Sequence, residues 1–179
     1  MKIVAFAGSP RLNGNSDILL DQFIKGAKQT GAEVDKVYLD QKDIAPCKAC
    51  DFCRANGFKC LINDDMQPIY AKLEGADVWV LATPIYWWGP TAQLKLMIDR
   101  WYSFYKGMDC SRKRVAIIIT MAAKAMKTAQ PTLDMFDMAF AALNMEQIKP
   151  LIVVAGPKGA VSDNPEALEE AYQMGLGLQ

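Results

Sequence analysis

The stretch PCKACDFCRANGFKC, residues 46–60, carries Cys47, Cys50, Cys53 and Cys60, four of the five cysteines in the chain. Three thiols at intervals of three residues, closed by a fourth after a short gap, can converge on one face of a cubane iron-sulfur cluster, whose ligands come in such compact runs. A structural zinc site more often pairs two separate C-x2-C knuckles, so the unsplit run favours iron-sulfur over zinc. A C-x-x-C pair can also cycle between dithiol and disulfide, and that reading stays open. Cys110, in KGMDCSRKR, has no partner in the sequence and reads as an incidental loop thiol.

A second candidate is GSPRLNGNS, residues 8–16. Its backbone N–H groups, the hydroxyls of Ser9 and Ser16 and the amide of Asn15 can wrap a phosphate, with a following helix N-terminus adding a favourable dipole. Arg11 contributes a full charge in a fork suited to phosphate oxygens, and Asn13 completes the candidate binding set in this loop. The pattern is neither G-x-G-x-x-G nor a P-loop, which argues against a dinucleotide or triphosphate at this turn. The alternative is a plain strand-to-helix loop capped by Ser16 or Asn15.

The third is ATPIYWWGPTAQLKLMIDR, residues 82–100, where Tyr86, Trp87 and Trp88 stand side by side before Gly89-Pro90. Clustered aromatics in a loop mark a binding surface for a flat ring, a base or a partner subunit, or else a local mini-core that pins the loop. Asp99 and Arg100 read as a structural pair on the helix rather than as catalytic groups.

Composition narrows the chemistry further. The chain has no histidine, so histidine-activated nucleophiles, histidine metal sites and the usual neutral-pH proton shuttle are excluded. Twenty basic residues balance twenty acidic ones, which leaves no global field for nucleic acid or an anionic membrane. The basic run SRKR, residues 111–114, fronts a strand. The start, MKIVAFAGSPR, is too short in apolar residues for a signal-peptide core, and no run reaches membrane-spanning length. The reading is a soluble cytoplasmic protein with reduced thiols.

Elements that position these loops are visible as alternation. Short apolar runs at residues 2–7, 34–39, 78–83, 115–120 and 150–155 predict strands, and amphipathic stretches at 15–31, 64–77, 91–105, 130–145 and from 164 predict helices. Runs such as VAIIIT and PLIVVA are apolar throughout, as strands covered by helices on both faces must be. The expectation is one α/β domain over 1–179, a flavodoxin-like three-layer sandwich with a five-stranded parallel sheet in order 2-1-3-4-5. Its ligand site lies at the carboxyl ends of the strands. The cysteine-rich segment at about 41–63 is an insertion, too long for an ordinary connection.

Taken in order, AGSPRLNGNS, PCKACDFCRANGFKCLINDDM and ATPIYWWGPTAQLKLMIDR resemble the NADPH-dependent FMN reductase superfamily, and most narrowly its iron-sulfur flavoprotein branch. The resemblance implies FMN, its phosphate on Ser9, Arg11, Asn15 and Ser16, and its ring and ribityl chain beside Thr83, Pro84, Ile85, Tyr86 and Trp87. It implies further ring contacts from Thr120, Met121 and Ala122, in the loop running to Ala123. It also implies a 4Fe-4S cluster on the four cysteines, NAD(P)H or ferredoxin as electron source, and a homodimer or homotetramer. Two other classes stay in view. A flavodoxin-type carrier docks through an acidic surface, which zero net charge disfavours; the other is a zinc- or thiol-containing flavin-binding module.

Overall fold

The computed structural model describes residues 1–57, 59–105 and 107–178. Its strands are β1 (Lys2–Ala7), β2 (Glu33–Tyr38), β3 (Val78–Pro84), β4 (Arg114–Met121), β5 (Glu146–Gln147) and β6 (Leu151–Val154). Its helices are α1 (Asn15–Gln29), α2 (Phe52–Ala55), α3 (Met66–Gly75), α4 (Ala92–Asp99), α5 (Gln130–Ala142) and α6 (Pro165–Leu176). The sheet is parallel in order β2-β1-β3-β4-β5, the flavodoxin-like arrangement.

One element departs from expectation. The fifth lane, predicted as a single strand over 150–155, is split: β5 pairs with Arg114 and Val115 of β4, while β6 pairs with Ile118 to Met121. Pro150 sits in the break, where it has no N–H to offer the ladder.

Strand residues alternate between two cores, as a period of two requires. On one face Val4, Phe6, Trp79, Leu81, Ile117 and Ile119 pack with Trp101, Phe136 and Phe140. On the other, the smaller Ala5, Ala7, Ala82 and Ala116 lie beneath Leu19, Phe23 and Ala171. Small side chains on that face let α1 and α6 come down close to the sheet and to each other. A Cβ added at Gly26 would sit 2.0 Å from Tyr172 O, and one at Gly175 would sit 2.0 Å from Phe23 O. The two helices therefore meet backbone to backbone.

Loops at the carboxyl ends of β1, β3, β4 and β6 gather at one edge of the sheet. Gly8 N–H donates to Ala82 O at 2.8 Å, and Thr91, the N-cap of α4, donates its hydroxyl to Gly8 O at 2.5 Å. The first and second candidate loops are thus tied together behind the edge.

Candidate functional site

A cleft of about 260 Å³ opens at this edge, lined by Ser9, Arg11, Asn15, Ser16, Pro84, Ile85, Tyr86, Thr120, Met121 and Ala122. All ten were singled out from sequence, in three loops. Ser9 Oγ accepts from Arg11 N–H at 3.1 Å, which leaves the hydroxyl proton free to donate into the cleft. The first intrahelical bond of α1 runs from Ile18 N–H to Gly14 O at 2.9 Å, so the N–H groups of Asn15, Ser16 and Asp17 precede it. A Cβ at Gly14 would meet Arg11 O at 2.9 Å; the loop closes this tightly only with glycine there. Ile85 N–H donates to Thr120 O at 2.9 Å and fixes the second loop on the third.

Asp17 lies in the first turn of α1, where a bare carboxylate would repel an anion. It is buried and paired instead: Oδ2 accepts from Asn13 N–H at 2.8 Å, and Oδ1 lies 2.6 Å from Lys36 Nζ. Burial works to discharge Lys36, but its bonds to Asp17, Asp21 and Tyr38 outweigh this and hold its pKa well above the ordinary lysine range. The carboxylate is neutralised from behind, and the helix dipole and Arg11 face the cleft unopposed.

The structure relocates three of the expected contacts. Asn15 does not point its amide at a ligand: Nδ2 donates to Ala155 O (3.1 Å) and Pro157 O (2.8 Å), and Oδ1 accepts from Val161 N–H (3.1 Å). Its side chain ties the first loop to the loop after β6, leaving only its backbone N–H for the cleft. Thr83 is fully buried behind the wall, where Oγ1 donates to Pro84 O and accepts from Thr91 N–H. Asn13 is exposed in a left-handed conformation, holding Asp17 through its N–H. Besides Gly14 of the first loop, three further lining residues were not singled out in the sequence: Ala155, Gly156 and Lys158. The signal for them was the small, cationic GPKG directly after the last strand, a composition suited to a second phosphate-facing loop.

Tyr86 and Gly89 pair with each other through two backbone bonds, 2.9 and 3.1 Å, and enclose Trp87 and Trp88, whose φ angles are 50° and 61°. Two left-handed central residues are the signature of a type I′ turn, normally built from Asn and Gly. The rings project outward: Trp87 is 90% exposed and Trp88 55%. Thr132 Oγ1 anchors the turn by donating to Trp88 O at 2.9 Å. Both tryptophans line a groove beside the cleft with Met121, Ala122 and Thr128. Trp88→Gly is expected to change stability by no more than about 1 kcal/mol, because relief of about 1–2 kcal/mol of left-handed strain offsets lost ring contacts of about 0.5–1.5 kcal/mol. Urea denaturation checks this, and a core-like loss above about 3 kcal/mol would make the ring structural.

The cysteine segment lies between β2 and α3. None of the five cysteines is in a disulfide; Cys47 and Cys50 are exposed, Cys53 and Cys60 half-buried, and Cys110 buried in the core, where burial pushes its thiol pKa up. Arg100, expected to pair with Asp99, does not. Asp99 pairs with Lys95 one turn back, while Arg100 Nη1 reaches Asp64 Oδ2 at 2.7 Å and Ala45 O at 2.8 Å. Asp64 in turn accepts from Ala45 N–H at 2.9 Å and Met66 N–H at 3.0 Å. This buried pair clasps both ends of the segment against the end of α4. Among the described residues no three His, Cys, Asp or Glu side chains stand in metal-holding geometry.

Residues 1–158 match the NADPH-dependent FMN reductase family. The chain belongs to that family. An iron-sulfur flavoprotein of Methanosarcina thermophila is 42% identical over 100 residues, covering 56% of this chain and 52% of the relative. The chain spans about half the length of the curated relatives it matches. Among solved structures, the Trp repressor binding protein from Bacillus subtilis superposes with TM-score 0.71 at 25% identity, over 97% of this chain and 98% of that one. An NAD(P)H:quinone oxidoreductase from Methanothermobacter marburgensis, TM-score 0.78 at 16% identity over 99% and 94% of the two chains, shares the fold.

The FMN reductase fold thus places ten of the thirteen expected cofactor residues on one cleft. Of the other three, Thr83 and Asn13 brace it from behind and Trp87 borders the adjoining groove. Its lining suits a phosphate-bearing, flat-ringed cofactor: helix N–H groups, a serine hydroxyl and two cations, together with Tyr86 and loop backbone.

Proposed function

We propose that this chain binds FMN in the cleft and carries electrons from NAD(P)H to a small-molecule or protein acceptor, ferredoxin-type proteins included among its redox partners. The observation that supports this best is the convergence of Arg11, Lys158, Ser9, the first turn of α1 and the Tyr86 loop on one cleft. FMN supplies the redox chemistry; the protein supplies placement and charge. Ser9 O–H and the N–H groups of Asn15 and Ser16 hold the phosphate, and Arg11 and Lys158 balance its charge from two sides. Ile85, Tyr86 and the backbone of Thr120 to Ala122 border the ring. Among the lining residues none need act as acid or base, in keeping with a chain without histidine.

The four cysteines of the 47–60 run are proposed ligands of a 4Fe-4S cluster. The donor set supports this, four thiols outside any disulfide in one compact run, and so does the name iron-sulfur flavoprotein borne by several relatives. Closure of the run requires the stretch from Cys47 to Cys53 to gather on Cys60. The exposure of Trp87 and Trp88 suits a dimer or tetramer in which a second copy covers the cleft.

The test is a fluorescence titration of the full chain with FMN, followed by anaerobic addition of NADPH. Saturable quenching and then bleaching of the bound flavin are the expected results. Arg11→Ala and Lys158→Ala each weaken FMN about tenfold, the loss of one charge-assisted contact. Failure of the wild type to bind FMN overturns the reading, and binding without bleaching by NADPH leaves an electron carrier.

A further inference from the structure

Arg100 is 2% exposed, yet one carboxylate is its only acidic partner among the described residues. Burying a guanidinium is costly unless its donors are used. Nη1 is used fully, on Ala45 O and Asp64. Nη2 reaches Asp64 Oδ1 at 3.3 Å and Ile62 O at 3.5 Å, and donates to the Cys60 sulfur at 3.3 Å. Nε is buried with no hydrogen-bond partner among the described residues. The donor that meets the cysteine run is thus Nη2, through the Cys60 sulfur.

Cys60 also differs from the other cysteines of the run. Its carbonyl accepts from Gln67 Nε2 at 3.0 Å, and its side chain borders a cavity of about 450 Å³ with Gln67, Tyr70 and Ser103. Among the described residues, the backbone bonds of 51–57 are local, from Arg54 N–H to Asp51 O and from Asn56 N–H to Cys53 O. Ala49, Asp51 and Gly57 take positive φ, so this stretch turns repeatedly on itself. Among the described residues, Cys60 is the cysteine of the run whose sulfur receives a hydrogen bond, and a cation donates it.

We propose that Arg100 is a positioning residue for the redox centre built on this run: its Nη2–H holds the Cys60 sulfur as the anchoring ligand, and its charge favours the reduced state. The inference rests on the cluster reading above. Reduction adds one electron, and one negative charge, to a cubane and its four thiolates. A hydrogen bond to a ligand sulfur and a buried cation both stabilise that extra charge, and so raise the potential.

The experiment is an anaerobic redox titration of the reconstituted full chain, with a low-potential reductant and electron paramagnetic resonance of the reduced cluster. Iron is assayed on the same samples. Arg100→Gln, which keeps an N–H donor but removes the charge, is expected to retain iron. At the wild-type midpoint its ratio of reduced to oxidised cluster falls about tenfold, as for loss of one charged hydrogen bond. Arg100→Lys, which keeps the charge, falls less. Full iron with an unmoved midpoint in both variants overturns the proposal and leaves the cluster reading intact; wild-type protein without iron overturns both.

Should both variants fail to fold, the wild-type contact is read directly. Arginine labelled with heavy nitrogen is incorporated in an Arg54→Lys background, since Arg54 lies inside the run. A nitrogen coupling to the reduced cluster is expected, and its absence overturns the proposal.

Discussion

Asp64→Ala is expected to lower stability by about 3–5 kcal/mol, the cost of leaving a buried charge without its partner. Arg100 is sealed inside and its remaining acceptors are two backbone carbonyls and a sulfur. The same substitution frees the N–H groups of Ala45 and Met66 and unclasps both ends of the cysteine segment. Asp64→Ala combined with Arg100→Met is expected to recover part of the loss, because the stranded charge is gone. Urea denaturation of the three proteins at neutral pH measures both effects, and a loss below about 1 kcal/mol in the single variant would mean that water reaches the pair.

The pair also sets a pH dependence. Burial works to raise the Asp64 pKa, but the Arg100 guanidinium and the Ala45 and Met66 N–H groups outweigh it and hold the carboxyl below its usual value. A depressed carboxylate stabilises the fold at pH above its unfolded value, and that contribution disappears as pH falls through the folded one. Wild-type protein therefore loses more stability than Asp64→Ala on acidification below about pH 4, and the two denaturation curves converge.

Gly175→Ala is the second large effect. The new methyl carbon would lie 2.0 Å from Phe23 O and 2.9 Å from both Phe23 C and Ala27 N. All three are backbone atoms in mid-helix, so no side chain can swing aside and α6 must lift from α1. Lifting opens the layer formed by Ala27, Ala167 and Ala171, all buried. The expected loss is about 3 kcal/mol or more, at the upper end for overpacking. For a chain of this size that lowers Tm by roughly 6–12 °C. Gly75→Ala is the control: nothing lies within 4 Å of its added carbon, and it is expected to be neutral or slightly stabilising. Similar melting of the two variants would disprove the backbone contact.

Much of this was legible in advance, for physical reasons. Strands such as VAIIIT declare themselves because both faces are covered, and the loops after β1 and β3 because glycine, serine and adjacent aromatics have little use at such places except in a site. What stayed hidden was long-range pairing. Asp64 and Arg100 are 36 residues apart, and no helical spacing links them, whereas Asp99 next door was a plausible but wrong partner. Asn15 has the chemistry of a phosphate ligand and is used as a brace, because its neighbour in space is the loop at 155–161. Lys158 was passed over since one lysine in a short loop carries no periodic signal. Gly26 and Gly175 carry no signal of their own in the sequence, because the contact that needs them lies between two helices far apart in the chain.

The three hydrogen bonds of the Asn15 side chain have a bearing on how fast the cleft works. Two loops that come from opposite ends of the chain are joined before any ligand arrives, so the ordering entropy is settled during folding rather than at binding. Ligand capture then needs no slow closing step at these two loops, and release is governed by how quickly contacts break.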